Sequence, residues 1–145
     1  MTFRLLFVGD VVGSAGCSAV LDLVPELREE LRLGAVVANA ENSAPGGRGI
    51  TKESGAALLS VVDFLTLGNH SFDAEGHQEF LEREKRAVRP ANFDGHLPGR
   101  GWGIFEVDGV SVGVAVMPHD GADSRTLLRA ADAAMYLQKR ALRAA

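Results

Sequence analysis

The sequence predicts an α/β fold in which a parallel βαβαβ core is followed by a β-hairpin and a C-terminal helix. Three observations carry this expectation. Short apolar, β-favouring runs recur at residues 3–8, 35–38 and 62–67; the stretches between them space their apolar residues as a helix does; and each run stops at a glycine or a small polar residue. Alternation of strand and helix implies a parallel sheet covered by helices, whose ligand sites gather at the carboxyl ends of the strands.

The first strand, residues 3–8, stops at Gly9-Asp10, as a buried strand entering a turn does. From about residue 18 to 33, Val20, Leu23, Leu27 and Leu31 recur among charges, and Gly34 supplies a stop. A second strand at 35–38 leads into a polar, glycine-rich stretch, 39–49, then a helix at about 51–60 and a third strand at 62–67. A short helix at 77–86 follows, with a Pro/Gly-rich loop running to Gly101. Residues 102–107 and 110–116 alternate as two strands joined by Asp108-Gly109, a two-residue hairpin signal, and the hairpin is expected to extend the sheet. Asp123 or Ser124 caps a last helix to about Arg143, with Leu127, Leu128, Ala131 and Met135 on one face and Lys139, Arg140 and Arg143 near its negative end.

The chain has 145 residues, 46% of them hydrophobic, which suits one domain with a genuine core. A net charge of −4 with scattered basic residues leaves no footprint for a long nucleic acid. No uncharged apolar run approaches the roughly 20 residues needed to cross a bilayer. Cys17 is the single cysteine, no secretory pattern opens the chain, and a soluble cytoplasmic protein is expected.

Three successive strands end in groups suited to hard metal ions: Asp10 after the first, Asn39-Ala-Glu41-Asn42 after the second, and Gly68-Asn69-His70 after the third. Each alone has an ordinary structural explanation, as a turn or cap for Asp10, a solvated loop for Glu41-Asn42, and a turn with an exposed histidine for Asn69-His70. Their coincidence at equivalent positions is what points to a site. Two divalent cations need a bridging carboxylate, further oxygen or imidazole ligands, and open positions for water and substrate. His77 and His96 are expected at the surface, and Cys17 in a packing role.

Phe7-Val-Gly-Asp-Val-Val-Gly13, Glu41-Asn-Ser-Ala44, Thr66-Leu-Gly-Asn-His70 and Val88-Arg-Pro-Ala-Asn-Phe93 together resemble, in order and spacing, the bacterial calcineurin-like metallophosphoesterases of the 2′,3′-cyclic-nucleotide phosphodiesterase type. The resemblance covers residues 1–109, the N-terminal half of such a domain. It implies a partial metallophosphoesterase sandwich, two divalent metal ions (iron or manganese), and hydrolysis of cyclic nucleotides or other small phosphodiesters by a metal-bound hydroxide. Carried over position by position, Asp10 binds the first metal, Glu41 bridges, Asn69 binds the second, Asn42 joins the metal set, and His70 is the catalytic group facing the phosphate.

The same resemblance implies a second half that supplies a further histidine and a Gly-Thr-His-Thr-His segment, whereas only His119 follows the matched region. Residues 110–145 resemble instead the last strand and C-terminal helix of a GGDEF-type diguanylate cyclase domain, through Val110-Ser-Val-Gly-Val-Ala-Val-Met-Pro-His-Asp-Gly121 and Leu127-Leu-Arg-Ala-Ala-Asp-Ala-Ala-Met-Tyr136, without that domain's defining turn. The expectation is therefore a truncated phosphodiesterase impaired by missing ligands. The alternative is a catalytically inactive metal-binding or nucleotide-signalling remnant. The tail is expected to cover the sheet edge and apolar face that the shorter domain exposes; failing that, a homo-oligomer is the expected outcome.

Overall fold

The computed structural model describes residues 2–115. Strands β1 (Leu5–Asp10), β2 (Ala35–Asn39), β3 (Phe64–Thr66) and β4 (Ala87–Val88) form a parallel sheet in that order, each new strand adding beside the last. The crossovers are helices α1 (Gly13–Glu30), α2 (Lys52–Leu58) and α3 (His77–Arg83). The predicted parallel core is present, with one strand more than expected. β4 was not legible because two residues carry no periodicity.

Alternate residues of the strands feed two cores. Val36, Ala38, Leu65, Leu67 and Ala87 pack with Val20, Val24, Leu58, Phe80 and Leu81 of the helices. Ala35, Val37, Phe64 and Val88 point to the opposite face and meet Phe105. Ala35, Val36 and Ala38 are wholly excluded from solvent, which explains a run apolar throughout in place of an alternating one. Asp63 interrupts the third apolar run for a physical reason: its Oδ2 accepts from the Val36 amide (2.7 Å) and from Arg28 Nη2 (2.8 Å), fixing α1 to the start of β3.

The hairpin corrects one expectation. β5 (Trp102–Val107) and β6 (Val110–Ala115) pair antiparallel as a separate two-stranded sheet, and only an isolated bridge, Val88 with Arg100, links the preceding residues to β4. The two residues of β4 offer too little edge for extension, whereas Phe105 stacks on Phe64 with ring centroids 5.3 Å apart. Gly103 permits this approach, since a Cβ there would strike the Phe64 ring. Asp108 and Gly109 both take left-handed φ (52° and 74°), the turn the Asp-Gly pair predicts. The hairpin thus covers the β2–β4 part of the face, while Leu5 and Phe7 on edge strand β1 remain 45% and 55% exposed.

Boundaries moved where local chemistry overrode pattern. α1 begins at Gly13, five residues before the predicted start, and ends at Glu30 with Leu31 as its cap, because Arg32 adopts a left-handed conformation (φ 51°) ahead of the stop expected at Gly34. Gly34 instead accommodates the Phe3 ring, which a Cβ would strike. Thr51 caps α2 reciprocally with Ser54. The predicted helix at 123–143, and His119, lie outside the described residues. No described helix is long and apolar enough to cross a membrane.

One buried group is unsatisfied. Thr66 is 4% exposed, and its hydroxyl has no hydrogen-bond partner among the described residues. A near-isosteric methyl removes that desolvation cost, so Thr66→Val is expected to raise stability by about 1 kcal/mol, read as a higher urea midpoint at unchanged m-value.

Candidate functional site

Parallel pairing brings the carboxyl ends of β1, β2 and β3 side by side, with Asp10 in register with Asn39 and Asn39 with Thr66. The ladder continues one step past the strands, as Val11 N–H donates to Asn39 O (3.0 Å) and Ala40 N–H to Thr66 O (2.9 Å). The turns that follow therefore leave from neighbouring points on one rim, and all five sequence-predicted site residues lie in them or at their start.

Asp10, exposed at the end of β1, accepts from Asn42 Nδ2 through both oxygens (3.0 and 2.9 Å). Asn42 is itself held by Gly13 N–H donating to its carbonyl (2.8 Å). Glu41 is positioned from two sides: Asn39 Oδ1 accepts from its backbone N–H (3.1 Å), and its own Oε2 accepts from the backbone N–H of His70 (3.0 Å). That carboxylate lies directly over Gly68, where a Cβ would fall against both of its oxygens. Glycine at 68 is therefore a steric requirement for seating Glu41, independent of backbone conformation.

The His70 ring is braced on its Nδ1 side by Asp73 Oδ2 (2.7 Å), which also accepts from Arg48 Nε (2.6 Å). Arg48 Nε lies 3.1 Å from His70 Nδ1 as well. Both nitrogens donate to the shared carboxylate oxygen, because the charge-assisted bonds are the shorter and a protonated Nδ1 has no lone pair to offer Arg48. This tautomer leaves Nε2 as an acceptor, and Asn69 Nδ2 donates to it (3.1 Å). The Arg48 hydrogen bond, followed by that of His70, holds the Asp73 carboxyl below the usual carboxylate value. Asp73 is consequently ionised throughout the neutral range, and these contacts weaken only as pH falls through its lowered pKa.

Sequence reasoning missed Arg48, Asp73 and the positioning role of Asn39. The one signal for Arg48 is its place between Gly47 and Gly49, both left-handed (φ 76° and 84°), with Gly49 packed against the Ala74 backbone so closely that no side chain fits. Asp73 stands three residues after His70 in a turn, a spacing too common to single out. His77 differs from the surface residue expected: it is half-buried, with Nδ1 2.7 Å from Ala74 O and its ring 5.5 Å from that of Phe72. His96 is exposed, as expected. Cys17 packs in the helix-side core and donates to Ser43 O (3.4 Å), and burial pushes its thiol pKa up.

Hard-donor chemistry is present in the right type but in partial number. Asp10 and Glu41 supply carboxylates and Asn42 and Asn69 side-chain amides, yet among the described residues no three His, Cys, Asp or Glu side chains come together as a metal cluster. The near side of a metal site fits these residues, and a complete shell for two ions does not.

A helix-covered parallel sheet whose successive strand ends bring Asp10, Glu41 and Asn69-His70 to one rim defines a segment of a calcineurin-like metallophosphoesterase. The chain belongs to the family of YmdB-like proteins, which matches residues 6–132 and so runs past residue 109 and across the hairpin. It is 37% identical over 112 residues to the 2′,3′-cyclic-nucleotide 2′-phosphodiesterase of Bacillus subtilis strain 168, covering 77% of this chain and 42% of that protein. The crystal structure of a hypothetical protein from Thermus thermophilus superposes with a TM-score of 0.76 at 35% identity, over 90% of this chain and 52% of that one. That of a novel phosphatase from Mycoplasma pneumoniae gives 0.74 at 25%, over 85% and 45%. The chain thus spans less than half the length of the curated relative it matches.

Proposed function

We propose that this chain carries the N-terminal half of a phosphodiesterase site acting on cyclic nucleotides or other small phosphodiesters in the cytoplasm, with divalent iron or manganese held by Asp10, Glu41, Asn42 and Asn69. The observation that supports this most is the seating of Glu41 between two turns, its Oε2 tied to the His70 amide and its carboxylate admitted only by Gly68. When bound, such metals supply a water acidic enough to ionise near neutrality and neutralise phosphoryl charge.

The chain's own residues then have distinct tasks. Asn42 orients the Asp10 carboxylate, and in donating through Nδ2 it keeps its Oδ1 as an oxygen donor. Asn69 does the same beside His70. His70, braced on Nδ1, faces the phosphate with Nε2 once Asn69 Nδ2 releases that atom, and its protonated form then stabilises developing charge or gives a proton to the leaving alkoxide.

A second reading, an inactive metal-binding remnant, draws support from the absence of a three-ligand cluster among the described residues. Metal content of the purified protein and manganese-dependent hydrolysis of bis-p-nitrophenyl phosphate separate the two. Bound metal with turnover is the expected result. Metal without turnover at high protein concentration selects the remnant, and neither metal nor turnover rejects both.

A further inference from the structure

We propose that Arg48 is an anion-recognition residue of this site, gripping a phosphoryl oxygen of the substrate through its two Nη groups, and that Asp73 is the positioning residue that holds Arg48 and His70 together. The inference deepens the phosphodiesterase reading and rests on it for the identity of the substrate, while the anion site itself is a separate property.

Arg48 spends only Nε on the protein. That atom donates to Asp73, and neither Nη donates a hydrogen bond among the described residues, leaving a side chain 68% exposed with four N–H groups turned outward. An exposed ion pair contributes only about 0–1 kcal/mol, too little to explain the backbone built around this one. Its loop needs left-handed conformations at both Gly47 and Gly49, and Gly49 must press on the Ala74 backbone, which brings the turn bearing Arg48 onto the turn bearing Asp73.

Asp73 Oδ2 then takes Arg48 Nε and His70 Nδ1 at one atom. Sharing that oxygen fixes the guanidinium beside the imidazole, with Arg48 Nε 3.1 Å from His70 Nδ1. Among the described residues Arg48 is also the one cationic side chain hydrogen-bonded into this cluster, where Asp10, Glu41 and Asp73 are acidic. An anionic substrate meets repulsion from those carboxylates, and Arg48 offsets it with the planar fork that suits phosphoryl oxygens.

The test uses the full chain and inorganic phosphate as the probe, following Arg Nε and His ring nitrogens by NMR. Phosphate is expected to shift the Arg48 and His70 signals together, and Arg48→Gln to weaken phosphate binding roughly tenfold at unchanged melting temperature. Asp73→Asn is expected to shift the His70 ring nitrogens away from the Nδ1–H tautomer. With a cyclic phosphodiester as substrate, Arg48→Gln raises KM more than it lowers kcat, and Arg48→Lys recovers part of the loss. Phosphate that perturbs neither side chain, or binds Arg48→Gln as tightly as the parent, overturns the anion site; an unchanged His70 tautomer in Asp73→Asn overturns the positioning role. Phosphate binding without any phosphodiester turnover rejects the enzymatic reading and leaves the anion site standing.

Discussion

Gly68→Ala is expected to abolish metal binding and phosphodiesterase turnover while lowering folding stability by no more than about 3 kcal/mol. The new methyl group falls against both oxygens of Glu41. These atoms end a flexible side chain, so the carboxylate swings away and the backbone keeps its path; φ at 68 lies outside the left-handed region, and alanine fits there without strain. The lost contact is the bond from His70 N–H to Glu41 Oε2, a charge-assisted one worth about 1.5–3 kcal/mol. Restricting the unfolded chain returns about 0.4–1 kcal/mol. Function is hit far harder, because the carboxylate proposed to hold metal has left its place. Metal stoichiometry and a urea melt on the same sample check this, with Glu41→Gln as the companion that retains shape and loses charge. Full metal content in Gly68→Ala would show that Glu41 holds no metal.

The rim of the site was legible in the sequence because it depends on topology alone. Once strand-helix alternation specifies a parallel sheet, the residues just past each strand must meet, so Asp10, Glu41 and Asn69-His70 are brought together whatever their individual conformations. Their supports were illegible for the complementary reason. Asn42 reaches Asp10 across 32 residues, and Arg48 reaches Asp73 across 25, through loops whose course is set by glycines such as Gly47 and Gly49. No period or propensity records such a contact. The hairpin shows the same limit at a larger scale: its turn and strands follow from Asp108-Gly109 and alternation, but whether it extends the sheet or covers it was decided by Phe105 finding Phe64 over a cleft that Gly103 opens.

Arg89→Met is the substitution expected to cost the fold most. Arg89 is 4% exposed, with no carboxylate in contact among the described residues; its five N–H groups go to backbone carbonyls, Nε to Pro98 (3.2 Å), Nη1 to Pro90 and Phe93 (3.0 and 3.4 Å), and Nη2 to Asp94 and Leu97 (3.1 and 3.4 Å). Every donor of the guanidinium is thus used. Burial pulls its pKa below the ordinary arginine value and the charge of Asp94 opposes that, yet the group stays protonated. Methionine fills a similar volume and leaves the Phe93, Leu97 and Pro98 carbonyls to find other partners, while those of Pro90 and Asp94 keep the N–H groups of Phe93 and Leu97, at a cost of about 3 kcal/mol or more, a large part of a domain's total of about 5–15. Arg89→Lys keeps the charge but has three donors, and is expected to fall between the two. The damage should begin in the loop: because Phe93 rests 5.8 Å from Phe72, just before Asp73, release of residues 90–98 also loosens the turn that braces His70. Protease cleavage within that loop is expected at urea concentrations where the β1–β3 core is still folded. Coincident loss of loop and core would instead make Arg89 part of a single cooperative unit, its carbonyl cage as central to stability as the sheet beneath it.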